Sequence, residues 1–291
     1  MIDKVLDSVS TTGKKIEEMK SNLDRKEDFE ILNWITPIDY APQQSDLISR
    51  RQEGTGQWLL DSPEFQAWLK PRKQTLFCPG IPGAGKTIIT AIVVDNLCAN
   101  FQDDPNVGIA YVYCSFKRNH EQKLEDLLLS LLKQLAQGQS AIPNPVKQLY
   151  DRHKSKNTRP SLDEISRVLH SVTALYSKVF IIVDALDECQ VIDKCRTRFL
   201  SEIFNIQAKY NARLFATSRF IPEIMQKFEG SRPLEICASP EDVKRYLESH
   251  MSPLPAFVGR NLDLQEEIKL AITGANDGMY VPSYSVTIGY F

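Results

Sequence analysis

Long apolar runs are missing from this sequence. No stretch approaches the roughly 20 apolar residues that a bilayer-spanning helix needs, and the opening "MIDKVLDSVSTTGKK" has no hydrophobic signal-peptide region. No membrane partner is expected. Charge imbalance is missing as well. The net charge is -2 and the isoelectric point about 6.1, a balance that argues against a dedicated nucleic-acid or membrane binder. The one basic run, "KQLYDRHKSKNTR" at 147–159, reads as a solvated helix face, so no nucleic-acid partner is expected either. The four histidines (120, 153, 170 and 250) share no spacing with each other or with cysteine, which removes a recognisable zinc site. The six cysteines (78, 98, 114, 189, 195 and 237) form no CxxC pair, so reduced thiols and a cytoplasmic location are expected. No G-x-S-x-G nucleophile signature appears.

What is present has the composition of a globular protein: 291 residues, 42% hydrophobic and 25% charged. That length can bury a sizeable core without disulfide or metal staples. Residues 1–35 read as helix in two pieces, interrupted at Gly13, with Ile2, Val5, Leu6 and Val9 and then Ile16, Met19 and Leu23 at helical spacing. This segment packs on the domain or, in a sharper reading, serves as a partner-binding arm. Residues 36–57 read as linker, and "WLLDSPEFQAWL" (58–69) as one helix.

From Lys73 strands alternate with helices. Strands are expected in "QTLFCPG", "NVGIAYVYCSF" (106–116), "KVFIIVDALDE" (178–188), "ARLFATSR" (212–219) and "RPLEI" (232–236). Helices are expected over 87–101, 121–137, 161–177 and near 193–209, with a polar helix within 138–160 and a short one from Pro222. This alternation implies right-handed crossovers and an α/β fold with a parallel sheet covered on both faces. Two further helices, at 239–251 and 262–278, suggest a small helical appendage. The domain reading is an N-terminal helical segment (1–35), a linker and helix (36–72), an α/β core (73–237), a helical subdomain (238–279) and a divergent tail (280–291).

The chemistry sits in "GIPGAGKT", residues 80–87, which matches G-x-x-x-x-G-K-[ST] between an expected strand and helix. Glycines let successive N–H groups curl around phosphate oxygens, and the following helix points its positive end at the same anion. Gly80, Gly83, Ala84, Gly85, Lys86, Thr87 and Ile88 are read as the phosphate cradle. Lys86 reaches the β- and γ-phosphates, and the Thr87 hydroxyl ligates Mg²⁺. Asp184, at the end of the apolar run "VFIIVD", is read as the second metal ligand. Asp187 or Glu188 could orient an attacking water, and the sequence does not choose between them. Arg219, at the end of "LFATSR", is placed to sense a γ-phosphate, since ligands of open α/β sheets lie beyond the strand carboxyl ends.

Taken together, "RRQEGTGQWLLDSPEFQAWL", "GIPGAGKT", "IIVDALDE" and "ARLFATSR" resemble the NACHT NTPase module of fungal nucleotide-binding receptors, also known as the nephrocystin-3-like N-terminal domain, within the STAND class of P-loop ATPases. The resemblance spans roughly residues 30–279. It implies a five-stranded parallel sheet with one strand inserted between the Walker A and Walker B strands, a position that "NVGIAYVYCSF" fits. It implies an ATP/ADP switch with slow Mg²⁺-dependent hydrolysis and self-association on activation. Lys86 and Thr87 take the Walker A positions, Asp184 the Walker B position, Asp187 and Glu188 the acidic positions after it, and Arg219 the sensor position. Thr55 and Gly56 would approach the nucleotide. ATP rather than GTP rests on the resemblance; no guanine-reading N-K-x-D is evident. Family members continue past "GANDGMY" into a winged helix and repeats, whereas this sequence goes on with "VPSYSVTIGYF", so a chain truncated after the NTPase core is expected. The alternatives are an ordinary P-loop ATPase or kinase and a non-catalytic scaffold.

Overall fold

The computed structural model describes residues 25–250 apart from 71, 72 and 232, together with 261, 263, 264 and 267. The expected helical pieces before residue 25, the tail at 280–291 and nearly all of the expected helix at 262–278 lie outside the described residues.

Four parallel strands form the centre: β1 (Thr75–Pro79), β2 (Val107–Tyr113), β3 (Lys178–Asp184) and β4 (Ala212–Ser218), in the order β1-β4-β3-β2. Strands covered on both faces read as continuous apolar runs, and β3 and β4 are buried along nearly their whole length. β2 alternates buried and half-buried residues, as befits its place at the sheet edge.

Side chains alternate across the sheet. Val179, Ile181 and Val183 of β3 enter one core layer with Ala110, Val112, Leu214 and Ala216. The helices over that face are α6 (Leu124–Gln137), α7 (Asn144–Lys154), α8 (Leu162–Thr173) and α9 (Cys195–Lys209). Phe180 and Ile182 enter the opposite layer with Leu76, Cys78 and Phe215. There they meet α4 (Pro63–Leu69) and α5 (Lys86–Phe101), and the Trp68 indole N–H donates to the Leu214 carbonyl at 3.0 Å. Helix α5 is apolar around most of its girth because the sheet lies on one side and α2 (Ala41–Ser49) on another, where the Gln44 amide donates to the Ala91 carbonyl at 2.9 Å. Residues 25–35 form α1, which lays Ile31 and Ile35 into the first layer. A capping box starts α8: Ser161 accepts from the Glu164 N–H while Glu164 accepts from the Ser161 N–H.

The structure corrects five expectations. The 36–57 "linker" contains α2, whose sequence "APQQSDLIS" is too polar to show helical periodicity. The single helix at 58–69 is two, α3 (Gln57–Asp61) and α4, because Ser62 is extended and its hydroxyl caps α4 by accepting from the Phe65 N–H. The sheet has four strands among the described residues, not five. Of the expected strand "RPLEI", the described residues 233–236 run beside β1 and donate Leu234 N–H to Phe77 O and Ile236 N–H to Pro79 O, yet form no strand. The strand between β1 and β3 is β4; "NVGIAYVYCSF" contributes the edge strand β2 instead. Finally, Cys114 and Cys189, 75 residues apart, are joined by a disulfide, whereas all six cysteines read as free thiols from their spacing.

Candidate functional site

The loop between β1 and α5 carries the motif. Gly83 and Gly85 take φ of 77° and 87°, left-handed conformations that cost a side-chain-bearing residue about 1–2 kcal/mol. Gly85 caps α5 without any side-chain hydrogen bond, and the first turn of α5 has no acidic residue. The N–H groups of that turn, which have no partner within the helix, and the positive end of its dipole make a setting that favours an anion over a cation. Gly80 is glycine for another reason. A Cβ there would stand 2.5 Å from the Ile236 carbonyl oxygen. Ala84 is buried in the core beneath the loop.

Lys86 folds back on its own loop, donating to the Gly80 and Ile81 carbonyls at 2.8 and 2.7 Å. Partial burial lowers its pKa, opposed chiefly by the charges of Asp187 and Asp184. The Thr87 hydroxyl donates to Asp184 Oδ2 at 2.8 Å, so the two expected metal ligands, 97 residues apart, meet. Asp184 is 2% exposed. Burial raises its pKa, and hydroxyl donors from Thr217, Thr87 and Thr90 counteract that rise.

Oxygen donors of this kind fit Mg²⁺, which keeps several waters and takes few protein ligands. Among the described residues no group of three or more His, Cys, Asp or Glu could hold a metal. One carboxylate and one hydroxyl supply only two protein oxygens, so such an ion would draw the rest of its shell from outside the protein.

Beyond Asp184 the backbone turns through Ala185 in a left-handed conformation. The buried Asp187 then pairs with Arg219: it accepts from the Arg219 N–H at 2.9 Å and from the guanidinium Nε. The same contact raises the Arg219 pKa further. Glu188 is more open and accepts a single backbone bond, from the Phe116 N–H at 3.2 Å. So Asp187 is committed to Arg219, and Glu188 is the freer acid.

Thr55 and Gly56 line a cavity of about 380 Å³ with Ala84, Gly85, Ile88 and Tyr246. The Thr55 hydroxyl is spent on its own turn, donating to the Gln52 carbonyl at 2.7 Å. Gly56 has φ of 75° and donates its N–H to Asp242, in the helix Pro240–His250, at 2.9 Å. A larger cavity of about 720 Å³, near Trp68 and Lys227, contains no motif residue.

The structure therefore brings Gly80, Gly83, Ala84, Gly85, Lys86, Thr87, Ile88, Asp184, Asp187, Glu188 and Arg219 to one end of the sheet, with Thr55 and Gly56 on the adjoining cavity. Sequence reading misses Thr90, Thr217 and Asp242. A threonine ending an apolar strand is the only cue for Thr217, and nothing marks the other two.

No curated protein matches the chain. Similar solved structures include the Walker-type ATPase of Pyrococcus abyssi (13% identity, TM-score 0.44, covering 79% of this chain and 64% of that one). The Orc1 protein of Aeropyrum pernix in complex with DNA is 14% identical, with TM-score 0.42 and coverages of 83% and 62%. AMPPCP-bound DnaA from Aquifex aeolicus is 13% identical, with TM-score 0.39 and coverages of 79% and 65%. In each case the chain spans less than two thirds of the solved protein. The expectation of no nucleic-acid partner is corrected by these matches, one of which is a protein solved in complex with DNA. Among the described residues no helix is long and apolar enough to cross a membrane. The nephrocystin 3 N-terminal family profile matches residues 54–219, more than half of the chain and the whole span from Thr55 to Arg219. An α/β P-loop fold with its phosphate loop, its buried acid and that match over most of the core make this chain a member of the nephrocystin 3 N-terminal family.

Proposed function

We propose that the chain is the nucleotide-operated core of a STAND-type signalling switch, of the NACHT kind found in fungal receptors, that binds ATP and ADP with Mg²⁺ and turns ATP over slowly. The observation that carries this reading is the 2.8 Å bond between Thr87 and Asp184 at the N-terminus of α5, beneath glycines held at positive φ. Thr87 and Asp184 would hold the metal, which when bound supplies charge neutralisation for the β- and γ-phosphates. Lys86 exchanges two loop carbonyls for phosphate oxygens. Glu188 is the acid free to orient a water, because Asp187 is occupied by Arg219. Slow turnover suits this arrangement: Arg219 is drawn toward Asp187 and must leave it to reach a γ-phosphate. Self-association on activation and a partner-binding N-terminal helix complete the reading. A cytoplasmic site of action accords with a nucleotide ligand; the Cys114–Cys189 bond is the observation that pulls the other way.

The test is to denature the purified protein, then identify and quantify any released nucleotide, with Lys86→Ala as control. Near-stoichiometric ADP from the wild type and none from the variant is the expected result. An empty wild-type protein that turns ATP over rapidly is an ordinary ATPase, and one that does neither is a scaffold.

A further inference from the structure

The Asp184 carboxylate accepts from three threonines, and the loop motif accounts for only one. Thr87 donates to Oδ2. Thr90, one turn further along α5, and Thr217, on β4, both reach Oδ1, at 2.8 and 2.7 Å. A hydroxyl has one proton and two lone pairs. Thr90 also lies 2.9 Å from the Lys86 carbonyl, so two acceptors compete for its proton. Thr217 has no such conflict. Its oxygen accepts from the Ala185 N–H at 2.9 Å, and its proton is left for Asp184. Thr217 is fully buried, so bulk water does not replace it.

We propose that Thr217 is the positioning residue of the metal site: its hydroxyl locks Asp184 with Oδ1 turned toward β4 and Oδ2 toward Thr87, so that one defined oxygen faces the divalent cation. The inference rests on the nucleotide reading above and deepens it. The backbone register between β3 and β4 ends at the pair Val183 and Ala216. Past that point side chains replace the ladder: Thr217 takes the Ala185 N–H, and Asp187 takes the Arg219 N–H. One hydroxyl thus ties the ligand acid to the turn that presents Asp187 and Glu188. Partners that orient a ligand in this way govern metal affinity by about 10–100-fold.

The test uses the full chain and Mn²⁺ as probe. Free Mn²⁺ is followed by electron paramagnetic resonance in the presence of ADP, and ADP affinity is measured separately in EDTA. Thr217→Val keeps the shape and removes the hydroxyl. Its Mn²⁺ affinity should fall by about 10–100-fold, with ADP affinity in EDTA unchanged. Thr217→Ser should restore Mn²⁺ binding to the wild-type range. If the valine variant does not fold, Thr217→Ala carries the same expectation. Wild-type Mn²⁺ affinity in the valine variant, loss in the serine variant, or an equal loss of ADP binding in EDTA overturns the positioning role while leaving the nucleotide reading intact. A wild-type chain that binds neither ADP nor Mn²⁺–ADP overturns that reading and this inference with it.

Discussion

Replacing Gly80 with alanine should unfasten the segment beside β1 before it touches phosphate binding. The added Cβ would sit 2.5 Å from the Ile236 carbonyl oxygen and 3.4 Å from its carbonyl carbon and Cβ. The nearest atom is backbone, so no rotamer change relieves the clash, and the 234–236 segment must shift outward. That shift breaks the bonds from Leu234 N–H to Phe77 O and from Ile236 N–H to Pro79 O, at 3.0 and 2.8 Å. Each is worth about 0.5–1.5 kcal/mol. Ile236 is fully buried, and uncovering part of such a side chain forfeits some of the roughly 1.5–3 kcal/mol that its full burial provides. Together these place the loss at about 2–4 kcal/mol. Urea unfolding of Gly80→Ala against wild type reads the energy, and amide hydrogen exchange reads its location: the Leu234 and Ile236 amides should exchange faster while the β3 amides keep their protection. A variant within about 0.5 kcal/mol of wild type, with both amides still protected, would refute the close-passage explanation of this glycine.

Glu164 is held well below the usual carboxylate range, at about 2, first by the Ser161 backbone N–H, then by the Ser161 hydroxyl and Arg152. Its folded pKa is depressed, so its contribution to stability is fully present above the unfolded value near 4.5 and is lost as pH falls toward 2. The stability gap between wild type and Glu164→Gln should therefore narrow between pH 4.5 and pH 2, as followed by thermal melts; a gap that widens toward acid contradicts the capping role. Alkylation in denaturant without reductant should modify four of the six cysteines, leaving Cys114 and Cys189 unlabelled until reduction; peptide mass mapping that finds all six modified shows that the pair is not joined.

The elements most legible in the sequence are those built from near neighbours. "GIPGAGKT" announces its own turn, because glycine freedom and a helix start act within eight residues, and Lys86 and Thr87 appear where that pattern places them. Runs such as "VFIIVD" mark doubly covered strands by composition alone. α2 escapes because polar helices hold together by packing on a neighbour, here α5, rather than by their own periodicity. "RPLEI" looks like a strand in isolation, yet among its described residues only the Leu234 and Ile236 amides bond to β1.

The sequence by itself determined an α/β chain with a phosphate loop and an acid at the end of a buried strand, since those features are written in local steric and hydrophobic preferences. The tertiary structure alone decided that β4 lies between β1 and β3, that Asp187 is committed to Arg219 while Glu188 is not, and that Thr90 and Thr217 converge on Asp184. It also decided that Asp242 closes on Gly56 across 186 residues. Such contacts join distant positions through strand order and helix packing, and no local preference encodes which two side chains a folded sheet will bring together.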